Sequence, residues 1–146
     1  MELILRYQPE ILTTQTAYEA AWWDLGVPDG AQRARWLMER GLDPRRGNWL
    51  GATLLHRCAA KGNMDVAAVC LEFGADINAI DTDASSTPLG WSVREGREEM
   101  VRWLLSRGAN PNLPEDEPWA QPAAWAKRRG HTSVSTVLSQ HAAGKI

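Results

Sequence analysis

The sequence predicts an all-α solenoid of stacked helical hairpins, in which turns that we call fingers join one hairpin to the next. Three recurring features support this prediction. A Thr-x-Leu element occurs as Thr53-Leu54-Leu55 and again, 34 positions later, as Thr87-Pro88-Leu89. Two glycine series have steps of 34, or of 33 and 34: Gly62, Gly96 and Gly130, and Gly41, Gly74 and Gly108. Self-similarity at a fixed period of this length is typical of repeat architectures.

The repeating unit carries the signals of two helices separated by a glycine. Thr87 is a residue type that caps a helix N-terminus, and Pro88 suits the first helical turn, where a missing N–H loses no hydrogen bond. In residues 100–105 the apolar side chains fall at helical spacing, which indicates a helix with one buried face. Gly74 and Gly108 are expected to end their helices in the left-handed conformation that glycine adopts without steric cost.

Composition favours one compact domain in a reducing compartment. The chain has 146 residues, 44% hydrophobic and 23% charged, and this size can bury a core without disulfides or a metal. A net charge of -2 argues against a general nucleic-acid or membrane-surface binder, which needs an excess of Lys and Arg. Two cysteines do not make a disulfide framework, and residues 1–7 predict neither a signal peptide nor a membrane span. We therefore expect a cytoplasmic protein.

The sequence contains no pattern that predicts catalytic chemistry. His56 and Cys58 lie close together and Cys70 follows, but their spacing matches no structural zinc motif. Both cysteines stand where the repeat favours apolar residues, so we expect two buried thiols. The chain has no glycine-rich phosphate loop and no nucleophile with a partner base at motif spacing. We expect no enzyme activity, no metal and no cofactor.

The recurring segments resemble ankyrin repeats, whose period of about 33 residues carries a β-turn, two helices and a Thr-Pro-Leu-His-x-Ala signature. The resemblance is strongest over residues 48–56 and 74–78, and nearly as good over 87–89 and 108–112. It implies a single ankyrin-repeat domain over the whole chain. Its implied units are an N-terminal cap segment (1–17), a divergent repeat (18–47), two repeats (48–80 and 81–114) and a C-terminal capping repeat (115–146).

One signature position departs from the family pattern. His56 occupies it in the first full repeat, whereas Gly90 and Ala124 occupy it in the next two. The hydrogen bonds that a Thr/His pair makes at a helix start are therefore expected only once, at Thr53 and His56.

The resemblance implies that the fingers and the late positions of each first helix form a concave surface that binds a partner. The finger candidates are Trp49, Leu50 and Ala52, then Asp83, Ala84 and Ser86, then Asp116, Glu117 and Trp119. The first-helix candidates are Ala60, Lys61, Arg94, Glu95, Arg128 and Arg129. Two tryptophans, Trp23 and Trp91, complete the candidate partner-binding set.

Trp49 and Leu50 are the sharpest of these candidates. Turn tips usually carry Asp, Asn, Gly or other polar residues, so two large apolar side chains there would face water at an unfavourable free energy. A partner that covers them removes that cost. The alternative is that the turn folds back and Trp49 packs on the following finger. For Trp119, contact with a partner and local packing between Pro118 and Pro122 are equally good interpretations.

The other tryptophans have mainly structural interpretations. Trp91 and its equivalent Trp125 are expected to pack in the core more than to contact a ligand. The second-helix equivalents Trp36 and Trp103 are expected in the core. Trp22 and Trp23 point about 100° apart on a helix, so only one can face the core, and Trp23 is the candidate for exposure. These eight tryptophans are Trp22, Trp23, Trp36, Trp49, Trp91, Trp103, Trp119 and Trp125.

The charged candidates separate by sign. Basic side chains are expected along the first helices as a basic strip, defined by Lys61, Arg94, Arg128 and Arg129. Acidic side chains are expected in the fingers at Asp81, Asp83, Glu115, Asp116 and Glu117. Such charges either form a solvated face or, in the case of the strip, meet an acidic surface of a partner.

Together these features predict a non-enzymatic protein-interaction module, present as a monomer or a weak homodimer. An alternative is a dedicated inhibitor or immunity protein whose acidic fingers block a cognate toxin or enzyme. A third hypothesis, disfavoured by the net charge, is a nucleic-acid binder that uses the arginines and stacking tryptophans.

Overall fold

The computed structural model describes residues 29–146, and these residues contain seven α-helices, one short 3-10 helix and no strand. The helices are α1 (Gly30–Glu39), α2 (Leu54–Lys61), α3 (Met64–Glu72), α4 (Pro88–Arg94), α5 (Glu98–Ser106), α6 (Pro122–Arg129) and α7 (Thr132–Ala142). The 3-10 helix is Pro118–Ala120. The predicted all-α fold of helical hairpins is confirmed.

The helices start and end where local chemistry dictates. The Thr87 hydroxyl accepts a hydrogen bond from the Gly90 N–H at 3.2 Å, and Pro88 occupies the first turn of α4, as predicted. The Asn63 side chain accepts from the Val66 N–H at 3.1 Å at the start of α3. Past α3, Gly74 has φ +94°, the left-handed conformation that a side chain would strain.

The hairpins stack in two layers. The first helices form one row, in which α2 contacts α4 and α4 contacts α6. In the row of second helices, α1 contacts α3 and α5 contacts α7. The core lies between the rows, and its fully buried side chains are mainly aliphatic, including Leu55, Leu89, Val101, Leu104 and Val134. Each repeat therefore buries its apolar surface against its neighbours, as a solenoid must.

Two tryptophans differ from the expectation. Trp36 and Trp103 pack on the core, but both are half-buried rather than internal. The guanidinium carbon of Arg40 lies 4.1 Å from the centroid of the Trp36 ring, and that of Arg107 lies 4.5 Å from the Trp103 ring. Each indole is therefore partly covered by an arginine of its own helix end, which allows a large ring to remain at the edge of the core.

Both cysteines are buried and free. A hydrogen bond with the Cys70 thiol, together with burial, raises the pKa of the Cys58 thiol. The Cys58 sulfur is therefore not an activated thiolate. Within residues 29–146, no group of three or more His, Cys, Asp or Glu side chains is arranged to hold a metal ion. No helix in this part of the chain is long and apolar enough to cross a membrane.

The predicted cap segment 1–17, the first helix of the divergent repeat and Trp23 lie outside the described residues. The boundaries given for the domain and its repeats stay predictions.

Candidate protein-binding surface

The first finger (residues 47–53) is a tight turn fixed by its backbone and by one side chain. The Asn48 side-chain oxygen accepts from the N–H groups of Leu50 and Ala52 at 2.9 and 3.1 Å. The Gly51 N–H donates to the Asn48 carbonyl at 2.9 Å, and Gly51 has φ +71°. This is the geometry of a short hairpin loop that ends on a left-handed glycine. The Trp49 side chain has no role in closing the turn.

Trp49 stands at the tip of this finger and is 79% exposed. The first finger does rest on the second finger (residues 81–87), because the Thr82 N–H and hydroxyl both donate to the Leu50 carbonyl at 2.8 Å. That contact involves the backbone of Leu50, and Leu50 as a whole is half-buried. The turn therefore folds back as the alternative expectation required, while the Trp49 indole remains in solvent.

The second finger is built around a buried carboxylate. Asp81 is 1% exposed and accepts four hydrogen bonds, three of them from backbone N–H groups of its own finger. The fourth comes from the indole N–H of Trp91 at 3.1 Å. The expectation of free acidic charge in this finger is wrong for Asp81, because its carboxylate closes the loop, whereas Asp83 is exposed.

Three small finger residues expected on the binding surface are also internal. Ala52, Ala84 and Ser86 are at most 7% exposed. They lie inside the bends that the Asn48 and Asp81 side chains hold closed. Their small size serves loop closure, so these three positions are corrected to structural ones.

The third finger (residues 113–121) presents the second exposed indole. Trp119 lies in the 3-10 helix and is 53% exposed. The Gln121 amide donates to the carbonyls of Asn112 and Pro114 at 2.9 and 3.0 Å, which ties the loop together. Glu117 was expected to be a free acidic side chain, but it is half-buried, and its Oε2 atom is shielded from water and has no hydrogen-bond partner among residues 29–146.

His56 links the first and second full repeats. Its Nδ1 atom accepts from the Thr53 N–H at 3.0 Å, and its Nε2 atom lies 3.1 Å from the Ser86 carbonyl oxygen. An N–H can only donate and a carbonyl can only accept, so Nε2 carries the proton and the ring is neutral. Burial lowers the pKa of this imidazole below its ordinary value. The capping box that the sequence predicts at Thr53 and His56 is present.

Ser86 continues the connection into the third repeat. Its hydroxyl donates to the Ala120 carbonyl at 3.3 Å and accepts from the Trp125 indole N–H at 3.2 Å. A methyl group at Gly90 would overlap this hydroxyl, so a larger residue at position 90 requires the Ser86 side chain to move. Ser86 thus contacts the repeats on both sides of its own.

The first helices carry an alternating row of aromatic and cationic groups, which we call the Trp/Arg ladder and define as Trp91, Arg94, Trp125 and Arg128. The Arg94 guanidinium carbon lies 4.9 Å from the Trp91 ring centroid and 5.5 Å from that of Trp125. The Arg128 guanidinium carbon lies 4.1 Å from the Trp125 centroid. Two arginines therefore share one indole, and both indoles direct their N–H groups inward, to Asp81 and Ser86.

The ladder was only partly visible in the sequence. Trp91 and Trp125 were expected to pack in the core, and both are half-buried against it. The sequence signal for their pairing with arginine is a Trp-x-x-Arg spacing at positions 91–94 and 125–128. Residues three apart on a helix are neighbours, so this spacing indicates stacking within each helix. The contact between Arg94 and Trp125 crosses repeats and has no local signal.

The candidate set divides by accessibility. Lys61, Glu95, Arg128 and Arg129 are exposed, as are Trp49, Asp83 and Trp119. Leu50, Trp91, Arg94 and Glu117 are half-buried. The Arg94 side chain keeps only 22% of its surface exposed, so the basic strip is less uniform than expected.

Comparison with known proteins gives one family and a group of similar chains. A family model described as ankyrin repeats, in three copies, matches residues 27–115. The chain is 36% identical over 86 residues to the palmitoyltransferase ZDHHC17 of Homo sapiens, which covers 59% of this chain and 14% of that protein. It is 35% identical over 86 residues to the palmitoyltransferase ZDHHC13 of Homo sapiens, with the same coverage. A ZDHHC13 protein of Danio rerio is 36% identical over 98 residues, 65% of this chain and 15% of that one. The chain thus spans about 15% of the length of these relatives.

Proposed function

We propose that this chain, which belongs to the ankyrin-repeat family, is a non-enzymatic module. It holds a partner protein against its fingers and first helices. The family premise suggests protein interaction as the general role. The finer assignment is that Trp49 is the main apolar anchor, with Leu50 beside it and Trp119 on the third finger. The proposal does not include palmitoyltransferase activity, because the match covers only 14% of the length of ZDHHC17.

The observation that carries this proposal is the exposure of Trp49. An indole that is 79% exposed on a turn tip contributes nothing to the core. A Trp side chain buries about 150–250 Å² when covered, so burial of the exposed 79% of Trp49 would contribute about 3–5 kcal/mol, at about 25 cal/mol per Å², before the costs of association. Residues of this type commonly provide most of the binding energy of an interface.

The rigidity of the first finger supports the anchor role. Asn48, Gly51 and Thr82 fix the backbone on both sides of the tip through hydrogen bonds of 2.8–3.1 Å. A partner therefore does not have to order this loop on binding. Lower ordering cost leaves more of the interaction energy available as affinity.

Affinity capture with the full chain as bait tests the proposal. Wild type is compared with Trp49→Ala and with Ile146→Ala, a control that removes an exposed apolar side chain at the chain end. A protein retained by wild type and Ile146→Ala but lost with Trp49→Ala is the expected result. Equal retention by all three baits would contradict the anchor assignment.

A dedicated inhibitor or immunity role is the second candidate. It is favoured by the exposed acidic side chains of the second and third fingers: Asp83, Glu115 and Asp116. Such side chains suit a cationic catalytic cleft. In the same capture experiment, an inhibitor predicts a single stoichiometric partner whose activity falls on binding, whereas an adaptor predicts several unrelated partners.

A further inference from the structure

The Trp/Arg ladder presents cationic groups whose aromatic faces are already occupied. Arg94 lies between two indoles, and Arg128 covers the one that they share. These cation–π contacts place each guanidinium over a ring and restrict its movement. Arg94 uses its Nε on Glu95 and Arg128 uses one terminal nitrogen on the Trp119 carbonyl, and the remaining N–H donors of both groups can meet a ligand.

The two guanidinium groups have little compensation from acidic side chains. Arg94 has one ion-pair contact, from its Nε to the Glu95 carboxylate at a long 3.4 Å. Arg128 donates to the Trp119 carbonyl at 2.6 Å, and within residues 29–146 no carboxylate forms an ion pair with it. Two like charges that share one indole thus form a local site of positive potential in a chain of net charge -2.

We propose that the Trp/Arg ladder binds an acidic peptide segment, with one carboxylate on the Arg94 guanidinium and another on that of Arg128. The inference rests on the proposed function in treating the first helices as a binding surface, and it adds the chemistry of the partner. The planar fork of arginine matches a carboxylate through two parallel hydrogen bonds. The Trp91 and Trp125 rings leave the Arg94 side chain only 22% exposed, and lower exposure to water strengthens a charged hydrogen bond.

The charges around the ladder favour a peptide over a nucleic acid. Glu95 is exposed next to Arg94, and exposed acids lie on the neighbouring fingers at Asp83, Glu115 and Asp116. A phosphate backbone carries charge at every nucleotide and would be repelled by these groups. A peptide can place isolated carboxylates on the two arginines and neutral residues elsewhere.

Fluorescence anisotropy at low ionic strength provides the test. The probes are a short labelled peptide of alternating Glu and Ser, a matched peptide of alternating Gln and Ser, and an oligothymidylate of the same net charge as the first. The protein variants are Arg94→Gln and Arg128→Gln, with Lys127→Gln as the control. Lys127 is exposed on the same helix as Arg128 and undergoes the same charge change outside the ladder.

The Glu–Ser peptide should bind wild type, and each arginine variant should weaken that binding about tenfold. Lys127→Gln should change it by less than about twofold. The proposal is overturned if the Glu–Ser peptide does not bind, if the Gln–Ser peptide binds equally well, or if Lys127→Gln has the same effect as Arg128→Gln. It is also overturned if the oligothymidylate binds more tightly than the peptide. Melting curves check that Arg94→Gln is folded. Arg128 is exposed, so Arg128→Gln is expected to fold and tests the proposal even if Arg94→Gln does not.

This inference and the proposed anchor can fail separately. If capture does not depend on Trp49 while peptide binding depends on Arg128, the anchor is wrong and the ladder stands. If capture depends on Trp49 but the peptide does not bind, the ladder inference is wrong alone.

Discussion

Protonation of His56 should destabilise the protein on mild acidification. The neutral imidazole accepts from the Thr53 N–H and donates to the Ser86 carbonyl. A second proton would place an N–H at Nδ1, facing the Thr53 N–H, and would charge a ring that is 0% exposed. Burial accordingly lowers the pKa of His56 in the folded state.

The direction and size of the pH effect on the free energy of unfolding follow from proton linkage. The unfolded chain takes up a proton near pH 6.5, the ordinary pKa of histidine, whereas the folded chain does so only at lower pH. The unfolded state therefore binds more protons below pH 6.5, and stability present at neutral pH is lost as the pH falls. Going from about pH 7.5 to about pH 5.5 reduces the free energy of unfolding by at most about 1.4 kcal/mol, the limit reached when the folded state takes up no proton over this range. Asp43, Glu72 and Glu98, whose pKa values are lowered by ion pairs with arginines, lose their contribution only at more acidic pH.

Urea unfolding followed by far-UV circular dichroism at several pH values measures this effect. His56→Gln is the matched variant, because Gln at this position of a capping box can still accept from the Thr53 N–H but does not titrate. His56→Ala removes both hydrogen bonds and should cost about 3 kcal/mol at neutral pH. The reasoning is refuted if wild type shows no loss of stability over this range, or if His56→Gln shows the same loss.

Three further predictions concern the fingers and the first turn of α4. Asp81→Asn should lower the free energy of unfolding by about 2 kcal/mol, because an amide cannot accept all four hydrogen bonds. The control Asp83→Asn, on an exposed residue, should change it by less than about 0.5 kcal/mol. Urea unfolding midpoints compare the two variants. Gly90→Ala should lower the free energy of unfolding by about 1 kcal/mol or more, although alanine usually stabilises a helix. In a double-mutant cycle, adding Ser86→Ala should recover part of this loss if overlap with the Ser86 hydroxyl is the cause. Trp49→Ala should leave the melting temperature unchanged, and a clear decrease would mean that the indole packs in the fold after all.

The helical repeat could be predicted because its signals are local. Thr87 and Pro88 start a helix through bonds within one turn, and Gly74 ends one through its own backbone conformation. Neither depends on the rest of the chain. The exposure of Trp49 could be anticipated for the same reason, because the polar Asn48 and the left-handed Gly51 supply everything that the turn requires.

The interior of the fingers could not be predicted, because it depends on how a loop closes in three dimensions. Asp81 and Asp83 have the same residue type two positions apart, yet one is buried with four donors and the other is exposed. Only the direction of the backbone N–H groups distinguishes them. The Arg94–Trp125 contact likewise requires the spacing between adjacent repeats, which no pattern within one repeat contains.

The position of Ser86 also limits how this chain can be re-engineered. Repeat proteins are often made more robust by rewriting each unit toward the average sequence of its family. The average residue at position 90 is histidine, but that volume is already filled by the Ser86 hydroxyl, which in turn holds the Trp125 indole. A consensus substitution at Gly90 alone would collide with Ser86, and moving Ser86 would break its hydrogen bond to Trp125. The repeat of residues 81–114 can therefore be replaced only together with the residues of the next repeat that it contacts.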